Sequence, residues 1–85
     1  MRTVTIEVTV EDIAMGTRAK CTKCPVALAV RRALGLPIAV GIWHVLDEDS
    51  PNGRLAVLPQ VAQEFIGRFD FGMPVSPFTF TIEVP

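Results

Sequence analysis

No apolar run in these 85 residues is long enough to cross a bilayer, which takes roughly 18–20. The longest, residues 38–46, carries His44 inside it. The opening Met-Arg-Thr-Val-Thr-Ile-Glu places a charge and two hydroxyls where a secretory leader is continuously apolar. A cytoplasmic protein with no membrane partner is therefore expected. Cysteine is scarce as well. Cys21 and Cys24 stand three positions apart and cannot staple distant parts of a fold, which excludes a disulfide scaffold. His44 has neither a serine nor a second histidine set around it. There is also no acid–base dyad and no phosphate-cradling glycine loop, so no enzyme is expected. A net charge of −1 gives little non-specific affinity for nucleic acid.

What is present describes one compact domain over residues 1–85. Its 49 % hydrophobic content argues against disorder. A chain this short buries about 60–65 % of its unfolded surface, near the lower limit for independent folding. Residues 3–10 alternate strictly, with Val4, Ile6, Val8 and Val10 on one face, and predict a half-buried strand. Thr9 is placed to cap a helical turn over Val10–Met15, with Glu11 and Asp12 in its first turn and Gly16 as the stop. A basic loop, residues 16–23, leads to the main helix. Pro25 suits its first position, and Val26, Ala29, Val30 and Ala33 form its buried stripe, with Leu28 beside it. Gly35 and Pro37 end that helix.

Residues 38–46 are β-branched and aromatic and predict a second strand. Residues 47–53 predict a turn, and 54–58 a short strand pairing back. Pro59 opens a second helix with Val61, Ala62, Phe65, Ile66 and Phe69 on one face, broken by Gly72 and Pro74. Phe78–Val84 alternates again, with Phe78, Phe80, Ile82 and Val84 inward. The order β-α-β-β-α-β predicts an α+β fold. Its expected form is a ferredoxin-like sandwich, with helices on one face of a small, mostly antiparallel sheet.

The densest local signal is residues 21–34, where a Cys-x-x-Cys pair runs through a proline into an apolar helix. A thiolate at a helix N-terminus is stabilised, which suits either redox exchange or a soft cation such as zinc or copper. The same residues also serve as small packing side chains. A mononuclear zinc site takes four ligands, and this chain offers Cys21, Cys24 and at most His44. Zinc would then require a homodimer sharing two thiol pairs. Arg18, Lys20, Lys23, Arg31 and Arg32 hold five of the eight basic residues within fifteen positions. With Leu28 they make a candidate binding patch. Trp43 and Phe71 are candidates for a partner contact, with core packing the competing role. Asp47, Glu48 and Asp49 read as a solvated hairpin tip.

The stretch Asp12-Ile13-x-x-Gly16-x-Arg18-x-x-Cys21-x-x-Cys24-Pro25-Val26-Ala27-Leu28-Ala29 resembles small proteins of actinobacteria and their phages. Leu58-Pro59, Phe65-Ile66, Phe69-Asp70 and Pro77-Phe78-Thr79-Phe80 extend the resemblance over most of the chain. It implies a phage-encoded accessory protein that binds a host or virion protein. A second resemblance is to the heavy-metal-associated domains of copper chaperones. It rests on Cys21-Thr22-Lys23-Cys24, with Ala33-Leu34 and Leu36-Pro37 following, and implies metal binding by Cys21 and Cys24. Ala19-Lys20 stands where that family carries Gly-Met. The residues taken together predict a non-catalytic protein-binding module, with a soft-metal domain as the alternative.

Overall fold

The alternation at the two ends of the chain becomes a single ladder. In the computed structural model, which describes residues 1–50 and 53–85, β1 (Arg2–Val8) pairs antiparallel with β5 (Phe78–Val84). The register sets Val4 against Ile82, Ile6 against Phe80 and Val8 against Phe78. Apolar side chains therefore meet apolar ones on the inner face. Thr5 opposite Thr81 and Glu7 opposite Thr79 fall on the solvent face. A one-residue slip would turn both sets over, so the inner face itself specifies the pairing.

β1 stops at Val8 because Thr9 caps α1 (Val10–Met15). The Thr9 hydroxyl accepts from Asp12 N, and the Asp12 carboxylate accepts from Thr9 N at 2.9 Å, a reciprocal capping box. That turn carries Val10 out of the strand. Expected on the inner face, it is 63 % exposed. Gly16 closes α1 at φ −69°, where any residue fits. Glycine is needed there for space, since a Cβ would lie 2.6 Å from the Pro25 ring.

α2 (Pro25–Leu34) buries Val26, Ala27, Ala29 and Val30, with Leu34 packed beside them. Ala33, expected on the stripe, is exposed. The buried face is turned toward Ala27 because α2 touches α1, β1 and the next strand at once. Gly35 terminates it with φ 68°.

Residues 38–46, expected as one strand, form two. β2 (Ile38–Val40) and β3 (His44–Asp47) pair antiparallel around a tight turn in which Gly41 N donates to His44 O at 2.9 Å. β4 (Arg54–Val57) pairs with β3. The expected turn between them runs through Pro51 and Asn52, which lie outside the described residues. Leu58, expected as the last residue of that strand, lies beyond β4 and is buried. α3 (Gln60–Asp70) buries Ala62 and Phe65 and rests Ile66 and Phe69 on the core. Val61, expected on that face, is half-exposed. Phe65 meets Phe78 with ring centroids 4.7 Å apart, which ties α3 to the start of β5.

The fold is α+β: among the described residues there are three helices and two antiparallel sheets, β1-β5 and β2-β3-β4. The ferredoxin-like order expected from the sequence requires one continuous sheet, and its strand order is not reproduced. Gly41 inserts an extra strand, α1 inserts an extra helix, and β4 approaches β5 without forming a ladder. α2 touches both β1 and β2, so it stands between the outer strands of the two sheets. The elements thus close a ring around one core: α2, β1, β5, β4, β3, β2 and back to α2.

An ion pair between a buried carboxylate and a half-exposed guanidinium fixes that ring at α2. Asp12 is 4 % exposed, and both its oxygens accept from Arg32, at 2.7 and 2.8 Å. Arg32 also donates to the Glu7 carbonyl at 2.8 Å. Arg32 holds the Asp12 carboxyl below its ordinary pKa against the opposing effect of burial, with the Thr9 contacts assisting. A lowered folded-state pKa stabilises the fold above about pH 4, and that stabilisation fades as pH falls further. Asp12→Asn should therefore cost about 1.5–3 kcal/mol at neutral pH. Thermal unfolding at stepped pH should show the gap to wild type narrowing in acid. A gap constant from pH 7 to pH 3 would show that the charge contributes nothing.

Candidate functional site

The two cysteines share one groove and occupy different environments within it. Cys24 is the N-cap of α2, with its sulfur accepting from Ala27 N at 3.4 Å. The cap position faces the core here, so Cys24 is buried while Cys21 is exposed. Both are free thiols. Burial pushes the Cys24 thiol above its ordinary pKa; the Ala27 and Val26 amides oppose the shift, and the charge of Asp70 adds to it. The thiolate stabilisation expected at a helix N-terminus is thus outweighed by desolvation at Cys24.

The basic loop is held in place by its own backbone. Thr17 N donates to Lys23 O at 2.8 Å, and Lys23 N to Lys20 O at 3.1 Å. Val40 N donates to Cys21 O at 2.8 Å, which ties the first cysteine to β2. Ala19, at φ 57°, donates its N–H to the Asp70 carboxylate at 3.0 Å and latches the loop onto the end of α3. Arg18 lays its guanidinium over Gly72, where a Cβ would stand 3.1 Å away.

These latches leave a groove of about 270 Å³ between the loop, the β2–β3 turn and α3. Lys20, Cys21 and Cys24 form one wall, Gly41 and Ile42 the second, and Ile66 and Asp70 the third. Ile42 is 75 % exposed and the neighbouring Trp43 63 %. Phe71, directly after Asp70, is 87 % exposed. Core packing, the competing role for Trp43 and Phe71, is thereby excluded in this fold.

The candidate basic patch divides. Arg31 pairs with Glu48 at 3.2 Å, and Arg32 is engaged by Asp12 and the Glu7 carbonyl. Both lie in the last turn of α2. Arg18, Lys20 and Lys23 stand before its first turn, and α2 spans about 15 Å at 1.5 Å per residue. Leu28 is half-buried between them. Lys20 and Lys23 are thus exposed cations near the cysteines, while Arg31 and Arg32, at the far end of α2, are each engaged by a carboxylate.

His44 does not join the cysteines. It lines a different groove, between β4 and β5, with Arg54 and Glu83. Among the described residues, no group of three or more His, Cys, Asp or Glu side chains is placed to hold a metal ion. Reading the sequence missed Ile42 and Asp70 as walls of the cysteine groove. Gly41 inside an apolar run was the available signal for the turn that exposes Ile42. Nothing local marks Asp70, which arrives from the far end of α3.

Compared with protein-family models, with curated proteins and with solved structures, the chain matches none. Among the described residues no helix is long and apolar enough to cross a membrane.

The raised Cys24 pKa has a sign that can be tested. The folded state favours the neutral thiol, so its contribution is complete below the ordinary thiol range and is lost as pH rises through the folded-state value. Native protein should be alkylated by iodoacetamide at Cys21, with Cys24 modified only after denaturation. Wild type should also lose stability above about pH 9 relative to Cys24→Ala, measured by urea unfolding. Equal alkylation of both cysteines in the native state would contradict the burial of Cys24.

Proposed function

We propose that this protein is a non-catalytic binding module that takes a protein partner on the surface formed by the β2–β3 turn and the cysteine groove. The exposure of Trp43 beside Ile42 carries the reading. A large aromatic and a β-branched side chain stand out from a two-residue-wide turn that Gly41 and His44 hold by a backbone hydrogen bond. Such rigid apolar anchors beside a groove supply the central contacts of protein interfaces. Lys20 and Asp70 on the groove walls provide charges of both signs for a polar rim. The resemblance to actinophage proteins directs the choice of partner to host and virion proteins.

The soft-metal reading is the second one. It is favoured by both thiols opening on one groove, and for zinc it requires two chains to supply four sulfurs. Native mass spectrometry of reduced, chelator-free protein tests it directly. Metal bound at one ion per chain or per dimer, and lost in Cys21→Ser, supports this reading; metal-free protein removes it.

Capture from host lysate on wild type and on Trp43→Ala tests the main reading. The substitution should leave stability within about 0.5 kcal/mol, because the side chain is largely in water. A partner enriched by wild type should fall by about tenfold or more with Trp43→Ala, as for an anchor worth at least 1.4 kcal/mol. Cross-links from that partner should map to the β2–β3 turn. A partner retained equally by both proteins, or no partner at all, overturns the proposal.

A further inference from the structure

We propose that Cys21 and Cys24 form a reversible dithiol–disulfide couple that exchanges with low-molecular-weight disulfides such as oxidised glutathione, with exposed Cys21 as the attacking sulfur and buried Cys24 as the resolving one. The inference does not rest on the protein-binding reading. It stands on the placement of two free thiols at different depths of one groove.

The backbone permits the bond. The chain turns through residues 21–23 before α2 begins, and a turn brings residues three apart within about 7 Å. That matches the Cα separation a disulfide spans. Both ends of the turn are held, Cys21 by its carbonyl bond to Val40 N and Cys24 as the helix cap, and closure would take the Cys24 sulfur from the Ala27 amide to Cys21.

The two depths assign the order of attack. A dissolved disulfide reaches Cys21 alone, and Lys20 and Lys23 favour the approach of an anionic one such as oxidised glutathione. The Cys21 thiolate attacks one sulfur of the incoming disulfide. A mixed disulfide forms, and one glutathione thiolate leaves and takes up a proton. Cys24 then gives its proton to water and attacks the Cys21 sulfur, which expels the second glutathione. The protein has lost two protons and two electrons, and the external disulfide has become two thiols. Burial favours the protonated Cys24 in the reduced protein, which prevents it from reacting first and leaves it to act once the mixed disulfide stands beside it.

The experiment is a titration of the purified native chain with glutathione redox buffers, with chelator present so that metal cannot occupy the thiols. Intact mass is read after acid quench. Wild type should lose two hydrogens with a defined midpoint and recover them on reduction. Cys24→Ser should accumulate a single glutathione adduct at Cys21, and Cys21→Ser should react more slowly than Cys24→Ser by about tenfold or more. Should Cys24→Ser unfold, peptide mapping of oxidised wild type decides instead, with a Cys21–Cys24 link expected. Wild type that stops at the glutathione adduct overturns the proposal, as does one that links only between chains or takes up glutathione first on Cys24.

Discussion

The Arg32–Asp12 pair is the contact on which the rest of this small structure depends. It joins three elements that the chain makes in succession: the end of β1 through the Glu7 carbonyl, α1 through its capping box, and α2 through Arg32 itself. α2 stands between the outer strands of two sheets that, among the described residues, share no hydrogen-bonded ladder. Anchoring its C-terminal turn to the end of β1 therefore fixes where its N-terminal turn points. That N-terminal turn carries Cys24, which is held in the core by contacts of its own, among them the Ala27 amide on its sulfur.

Much of this fold is legible in the sequence where local and tertiary preferences agree. The alternation of Val4, Ile6 and Val8, and of Phe78, Phe80, Ile82 and Val84, names both terminal strands and their inner faces. Thr9, Pro25 and Gly35 mark helix ends where those ends are found. The order of the strands is not legible in the same way. It turns on Gly41, one residue in an apolar run, whose backbone hydrogen bond to His44 converts a strand into a hairpin. Nor does helical spacing separate Ala27 from Ala33, since which face is buried depends on having neighbours on more than one side.

The site was half visible. Cys-x-x-Cys announces paired thiols, and Lys20 and Lys23 announce cations beside them. Which thiol meets solvent depends on the direction of the cap, and which arginines remain available depends on carboxylates far along the chain, Glu48 and Asp12. A patch counted from sequence neighbours therefore included two arginines already engaged. Trp43 and Phe71 show the converse. Large aromatic residues read as core by composition are surface residues here because they sit at a turn and just past a helix end.

The pairing of β1 with β5 also shapes how the molecule comes to exist. Its partners lie at opposite ends of the chain, Arg2 against Val84. The helices and the β2-β3-β4 meander use contacts between near neighbours and form quickly, whereas a ladder between distant segments waits on a slow search. Until β5 docks, Ile6 and Val8 have no strand to cover them and the aromatic cluster of Phe65, Phe78 and Phe80 is incomplete. The seam between the β4 and β5 edges is likewise defined only at that stage. Within this domain β5 is thus the strand that closes the ring, and the core is incomplete until it pairs with β1.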